Sequence, residues 1–367
     1  MSPERDVDAR GAAEKVGEMW KIAHRPYALP FRVVVRTAHG PWARREGFLV
    51  RVELAGEAHA KGGAGWGEVA PIPWFGTESL AEAAEALASL RGAASDLGDA
   101  LARVPQSCVC VRAALAAAWA DAEPRAESAV KVLPLAGLLP AGRGVRAVAA
   151  AKLELGYRTF KWKVGATDDA DERALLDDLL GDLPAGAKLR LDANGAWERR
   201  TAERWLELAA ERPQIDYIEQ PISAEARGAE DTLRGLAEDY PVKIALDESI
   251  AGARDVERWL AADWRGVWVI KPALLGEPEP VLARLAKARA DVVFGSALET
   301  GVGAKAGLRL AFAWAQSRPA GERRALGYGV WPLFEDKRAE PPQGGGPFVR
   351  LEDVARMDAE ALWNALP

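Results

Sequence analysis

The order of apolar and polar positions changes character part-way along the 367-residue chain. Early on, Phe31-Arg-Val-Val-Val-Arg36 and Gly47-Phe-Leu-Val-Arg-Val-Glu53 are short β-rich runs parted by the turn-like His39-Gly40-Pro41, a pattern that predicts strands. After Gly65-Trp-Gly-Glu-Val-Ala-Pro-Ile-Pro73, the stretch Thr77-Glu78-Ser79-Leu80 offers hydroxyls to cap an Ala/Leu/Glu-rich helix. A second helix, about Cys108 to Ala122, is apolar on every side and is expected to be buried. Together these elements predict a compact α+β module.

From Val130 onward the rhythm differs. Short apolar runs at Lys131–Leu135, Thr159–Val164, Leu189–Asp192, Tyr217–Glu219, Lys243–Asp247, Val267–Lys271 and Val292–Ser296 alternate with segments of helical period. In one of these, Thr201 to Glu211, residues Trp205, Leu206, Leu208 and Ala209 share a face. Such alternation predicts parallel strands joined by crossover helices, with a last strand at Ala325–Gly329. Within Phe160-Lys161-Trp162-Lys163-Val164 the side chains take opposite faces, so the two lysines share one face and the apolar residues the other. If the apolar face packs under a helix, both ammonium groups point into what the strand encloses, where they need a carboxylate or a metal site nearby.

Spacing sharpens this. Lys163, Asp192, Glu219, Asp247, Lys271 and Ser296 follow one another at intervals of 29, 27, 28, 24 and 25 residues. Each interval is one strand, one helix and two short loops, so the six residues recur at the C-terminal end of successive strands, where (β/α) barrels carry their active sites.

Composition narrows the chemistry. The net charge is -6 without a dense basic run, which argues against a nucleic-acid partner, and no apolar run approaches the roughly 20 residues of a membrane span. A soluble, cytoplasmic protein is expected. Cys108 and Cys110 are too close in sequence to make a good disulfide and read as small buried hydrophobes. All three histidines, His24, His39 and His59, lie near the N-terminus, so chemistry further along must run on lysines and carboxylates.

Asp192, Glu219 and Asp247 meeting at a barrel mouth would repel one another unless a cation joined them. An all-oxygen set without His or Cys suits Mg2+, with Mn2+ as a substitute, rather than zinc. Lys163 and Lys271 would then flank the metal. A neighbouring cation such as Lys161 or the metal lowers a lysine pKa and makes it a usable base, which suggests abstraction of a proton α to a carboxylate.

The segments Lys161-Trp-Lys163, Leu191-Asp-Ala-Asn-Gly-Ala-Trp197, Ile218-Glu-Gln-Pro221, Leu246-Asp-Glu-Ser249, Ile270-Lys-Pro272 and Ser296-Ala-Leu-Glu-Thr300 resemble those of the enolase superfamily. Together with Arg36-Thr-Ala-His-Gly40, Arg45-Glu-Gly47 and Gly65–Pro73, they are similar to the o-succinylbenzoate synthases over most of the chain. The resemblance implies a (β/α)7β TIM-like barrel with an N-terminal α+β capping domain. The expected division is residues 1–128 for the cap, 129–332 for the barrel, and 333–367 for a segment that returns to the cap after the Gly344–Pro347 break.

It also implies roles. Asp192, Glu219 and Asp247 would hold Mg2+, Lys163 would take the α proton and return it to the departing hydroxyl, and Lys271 would stabilise the enediolate from the other face. Lys161 would tune Lys163, and Asn194 and Glu248 would support the metal ligands. Ser296, with Glu299 and Thr300 in the same segment, would meet the substrate. The implied reaction is syn dehydration of 2-succinyl-6-hydroxy-2,4-cyclohexadiene-1-carboxylate to 2-succinylbenzoate, a lyase step toward menaquinone or phylloquinone, on a small-molecule carboxylate.

Two rivals stand beside it. Lysines on both faces of a carbon also suit N-acylamino acid racemisation, dipeptide epimerisation or a muconate-type cycloisomerisation, though the Asp-x-Asp element typical of dipeptide epimerases is missing at Ser296-Ala-Leu-Glu299. A barrel that binds a metabolite without catalysis is the other, and the intact lysines and acids argue against it. In the first module, Arg45, Trp74 and Phe75 could form a lid, with the two aromatics expected in the core instead.

Overall fold

The computed structural model describes residues 19–37, 39–55, 63–90, 92–123, 128–341 and 346–367. His59 and Gly344 and Gly345 of the Gly344–Pro347 break lie outside them. The chain opens with a long antiparallel hairpin, β1 (Trp20–Thr37) and β2 (Gly40–Leu54), as the β-rich runs predict. Strand β3 (Gly65–Val69) joins β2, and β4 (Ala93–Ala94) joins β1, giving the order β3-β2-β1-β4.

Helices α1 (Leu80–Ser89), α2 (Leu97–Ala102) and α3 (Val109–Ala122) follow. Ser79 caps α1 in a reciprocal pair with Glu82, satisfying two backbone N–H groups that a helix start leaves open. Helix α3 buries nine of its residues, including Trp119, which is why its sequence shows no polar face. It lies so close to β3 that a Cβ on Gly67 would fall 2.0 Å from the Ala114 carbonyl oxygen, so only glycine fits there. Cys108 and Cys110 are free and buried at the start of this helix.

After β5 (Val132–Pro134) comes a seven-stranded parallel sheet: β6 (Gly137–Leu139), β7 (Thr159–Lys163), β8 (Lys188–Asp192), β9 (Ile215–Glu219), β10 (Ile244–Leu246), β11 (Val267–Ile270) and β12 (Asp291–Phe294). The strands are neighbours in chain order, and a helix separates each from the next: α4 (Val145–Glu154), α5 (Asp169–Asp182), α6 (Arg199–Ala210), α7 (Ala229–Asp239), α8 (Ala253–Ala261) and α9 (Pro278–Lys287). Helix α10 (Gly301–Gln316) follows β12. Parallel bridges from Leu326 to Leu135 and from Gly327 to Gly295 span the two ends of the sheet and curl it toward closure.

Two sequence expectations shift. The run Lys131–Leu135 does not start the parallel sheet; its Val132–Pro134 pairs antiparallel with β13 (Phe348–Arg350), and the parallel order begins at Gly137. Pro134 has no N–H to give a ladder, which disfavours it in a central strand. The run Ala325–Gly329 contributes only the bridges at Leu326 and Gly327. Beyond β13, α11 (Leu351–Ala355) leads to α12 (Ala359–Ala365), where the Trp363 ring packs 5.4 Å from Trp66 of β3. Arg25 of β1 donates to the Trp363 carbonyl at 2.8 Å.

Packing fixes which way the strands face. On β7, Phe160 and Trp162 are fully buried toward the helices, which leaves Lys161 and Lys163 the opposite, inner face. At the N-terminal end of the sheet, an ion-pair chain replaces apolar packing. Arg190 reaches Asp216 at 2.9 Å, Arg324 reaches Asp216 at 2.6 Å and Asp291 at 2.5 Å, and Lys243 reaches Asp291 at 2.6 Å. Burial alone would raise the Asp216 carboxyl, but Arg190 and Arg324 outweigh it and hold the group below its usual range. Asp291 is held down in the same sense, against burial, by Arg324 and Lys243.

A carboxyl depressed in the folded state adds stability at neutral pH, and this is lost as pH falls below the ordinary carboxylate value of about 3.9 toward the folded one. Arg324→Met is therefore expected to cost about 1.5–3 kcal/mol at pH 7, because it takes one of two cations from each of two partly buried acids, and markedly less near pH 3, where they are protonated. Denaturant unfolding at the two pH values checks this; an equal loss at both would contradict it.

Candidate active site

Register brings the acids and lysines together. Lys163 pairs with Asp192 across β7 and β8, and Asp192 with Glu219 across β8 and β9, so the three side chains stand at one height. Asp247 directly follows β10, and Lys271 directly follows β11. Lys161 lies 2.5 Å from Glu219 Oε1 and 2.9 Å from Asp192 Oδ2. Lys163 Nζ is 2.6 Å from Asp192 Oδ2 and 2.5 Å from Asn194 Oδ1, and Lys271 pairs with Asp247. Asn194 Nδ2 donates to Glu248 Oε1 at 2.8 Å.

Asp192 and Glu219 are fully buried and Asp247 nearly so. Their charges are unequal in cost. Burial, and then the neighbouring Asp192, push Glu219 up to about 8. For Asp192 burial acts upward, but Lys161 and Lys163 hold it well below the carboxylate range. Asp247 is also lowered against burial, chiefly by Lys271. In turn, burial would lower Lys161, but Asp192, Glu219 and Asp247 raise it well above the usual lysine value.

Among the described residues, no three acids, histidines or cysteines converge as a ready cation cage. The acids turn to the ammonium groups instead of to one point, since each buried carboxylate takes the nearest positive charge. The donor set still fits a hard divalent cation. Glu219 Oε2 is buried without a hydrogen-bond partner, as is Glu248 Oε2, and both belong to an all-oxygen group.

The loops that leave the strands are held in uncommon conformations. Asn194, Gln220 and Leu298 have φ of 45°, 39° and 57°, and all three follow strands that end at this site. Gln220 is fully buried, and its Oε1 accepts from the N–H groups of Asp247 (3.0 Å) and Ser249 (3.1 Å). Its Nε2 donates to the Ile222 carbonyl and to Ser249 Oγ, both at 2.8 Å. Glu172 of α5, also buried, accepts from the N–H groups of Gly165, Ala166 and Thr167 and so fixes the turn after Lys163.

Ser296, Glu299 and Thr300 lie deeper than the lysines. Ser296 Oγ donates to Glu299 Oε2 at 2.8 Å, Glu299 also takes the Ala297 N–H at 2.5 Å, and burial pushes its carboxyl up to about 7. Thr300 is fully buried and caps α10 while bonded to Glu68 of β3, which also receives the Tyr27 hydroxyl at 2.5 Å and the Gly303 N–H at 2.9 Å. Arg45, likewise buried, donates to the carbonyls of Ala70, Pro71 and Ala297. The first module is thus bonded to the loop after β12.

One of the two aromatics departs from expectation. Trp74 is 38% exposed and T-stacked on Trp42 at 4.9 Å, outside the core, whereas Phe75 is half-buried and packs against the core of the first module, with Lys271 Nζ 4.1 Å from its ring centre. The tight Pro73–Phe75 turn that carries them has no fully buried residue.

Comparison with known proteins now bears on the site. Residues 144–353 match the family described as "Enolase C-terminal domain-like", and residues 20–118 match "MenC, N-terminal domain". An o-succinylbenzoate synthase of Thermosynechococcus vestitus is 35% identical over 315 residues, covering 85% of this chain and 91% of the relative.

The chain belongs to the o-succinylbenzoate synthase family, within the enolase superfamily. The solved o-succinylbenzoate synthase of Thermosynechococcus elongatus, described as complexed with Mg in the active site, superposes with a TM-score of 0.78 at 32% identity, covering 94% of this chain and all of that one. The L-Ala-D/L-Glu epimerase of Bacillus subtilis, with a TM-score of 0.75 at 20% identity over 91% of this chain and 96% of its own, shares the fold.

Within this o-succinylbenzoate synthase frame, sequence reasoning passed over Gln220, Glu172 and Glu68. Glu68 left a trace, as the only acid in a strand whose other four residues are Gly, Trp, Gly and Val and whose every residue is buried. Gln220→Leu leaves the Asp247 and Ser249 N–H groups buried without acceptors, at about 1–3 kcal/mol each. A thermal melt well below that of the parent is expected, and an unchanged melt would show that the amide carries no support.

Proposed function

We propose that the chain catalyses the dehydration of 2-succinyl-6-hydroxy-2,4-cyclohexadiene-1-carboxylate to 2-succinylbenzoate, a hydro-lyase step toward menaquinone or phylloquinone. Family membership supports the reaction, and one observation carries the mechanism. Lys163 on β7 and Lys271 after β11 stand on opposite sides of the row of acids contributed by β8, β9 and β10. The fold it rests on is a (β/α)7β barrel, in which Leu326–Gly327 supplies the eighth strand position. Residues 1–128 form the capping domain, 129–332 the barrel, and 333–367 the return to the cap.

Asp192, Glu219 and Asp247 would hold Mg2+, for which Mn2+ would substitute. When bound, the ion supplies positive charge to the substrate carboxylate and makes its α proton acidic enough for an amine to remove. Lys163, as the free amine, takes that proton, and its conjugate acid then protonates the hydroxyl leaving from the same face. Asn194 and Glu248 keep Lys163 and the acids in place, and Lys161 keeps charge near Lys163 high. Lys271, beside the Phe75 ring, stabilises the negative charge spread over the ring and carboxylate from the other face. Ser296 and the backbone after it meet the succinyl carboxylate, while Glu299 and Thr300 set the shape of that loop from below.

A racemase or epimerase reading draws on the same pair of lysines, since one can remove a proton and the other return it. The loop Ser296-Ala-Leu-Glu299 offers a substrate ammonium little, because Glu299 is spent on Ser296 and Ala297. No helix among the described residues is long and apolar enough to cross a membrane, which agrees with a small-molecule enzyme of the cytoplasm.

An absorbance assay for 2-succinylbenzoate is expected to show turnover with Mg2+, none after EDTA, and recovery on adding Mg2+ or Mn2+. Alongside it, a polarimetric assay on N-succinyl amino acids separates the readings, and activity in that assay alone would overturn the reaction. Lys163→Ala should reduce kcat by about 10²–10⁴ with a near-parental melt. Unchanged turnover in this variant would remove Lys163 from the chemistry.

A further inference from the structure

At the end of the sheet opposite the lysines, the strand starts and the segment from Trp314 to Ala325 line an open cleft of about 570 Å³. Its charge contrasts with that of the chain. Seven lysines and arginines line it against three acids, a surplus of four positive charges in a protein whose net charge is -6.

Part of that charge is already spent. The chain of ion pairs Arg190–Asp216–Arg324–Asp291–Lys243 forms the floor and uses both of its acids. Above it stand Lys188, Arg289, Arg318 and Arg323, with Glu322 as the one further acid. Lys188 and Arg323 give hydrogen bonds to carbonyls, and Arg318 reaches the Ala290 carbonyl only at 3.4 Å while lying 4.7 Å from the centre of the Trp314 ring. Among the described residues Arg289 makes no side-chain hydrogen bond or ion pair, and its backbone sits at φ 54°, in the left-handed region.

The geometry points to a second binding site here, for a small organic anion bearing two or more phosphate or carboxylate groups. Like charges gathered on a concave wall raise a positive potential there, and guanidinium groups match the paired oxygens of such anions. The volume lies within the roughly 300–1,000 Å³ of ordinary ligand sites, too large for a lone chloride and ample for a metabolite of this class. The acids of the floor do not oppose it, because each is matched by two cations.

Fructose 1,6-bisphosphate and tricarballylate serve as phosphate and carboxylate probes, titrated calorimetrically into the full Mg2+-loaded chain with free Mg2+ fixed and ionic strength matched by NaCl. At least one probe is expected to bind one per chain, and which one binds names the chemistry. Arg289→Gln is expected to weaken that binding about tenfold, the loss of one charged hydrogen bond, and Arg289→Gln with Arg318→Gln more so, while dehydratase turnover without the probe stays at the parental level. Because Arg289 is exposed, the single variant should fold as the parent does. Binding of neither probe beyond the salt control, or equal binding by parent and both variants, would overturn the assignment.

Discussion

Three carboxylates at the C-terminal ends of adjacent strands cannot all stay charged without cations among them, and the rest of the site follows from that constraint. Asp192, Glu219 and Asp247 come from adjacent strands, with Asp192 and Glu219 paired directly in register. Lys161 answers two of them, Lys163 one and Lys271 one. The balance is uneven, since Glu219 is pushed up to about 8 while Asp192 is held low. On the function proposed above, a divalent ion would take the place of ammonium groups among these carboxylates.

Holding that balance takes structure well away from the acids. Uncommon backbone at Asn194, Gln220 and Leu298 costs about 1–3 kcal/mol apiece, and buried polar groups keep each in place. Gln220 ties the loop after β9 to the loop after β10, Glu172 fixes the turn after β7, and Glu68 the start of α10. The last of these reaches across from the first module, so that module and the loop after β12 share one buried network. At the far end, Arg190, Asp216, Arg324 and Asp291 fill the sheet with ion pairs where a smaller apolar layer could have stood.

Much of this was legible in the sequence, for physical reasons. The regular interval from Lys163 to Ser296 reports a repeated strand, helix and loops, and strand alternation puts both lysines of Lys161-Trp-Lys163 on the inner face. Apolar runs on both sides of α3 foretold its burial. The edges of the pattern were harder to read. Lys131–Leu135 has a strand's composition, but Pro134 and the partner Phe348–Arg350 place it outside the parallel sheet, and the partner lies over 200 residues away. Trp74 is aromatic yet exposed, stacked on Trp42 at the surface, while its neighbour Phe75 packs against the core. Long-range bonds such as Glu68 to Thr300 leave no local period to detect.

The central claim concerns what those carboxylates are for. Mn2+, titrated into the protein and followed by the loss of its free-ion electron paramagnetic resonance signal, reads it without reference to turnover. The account predicts one tightly held ion per chain, displaced by Mg2+ and lost in Glu219→Gln. A chain that takes up no Mn2+, or a variant that holds it as firmly as the parent, would contradict it.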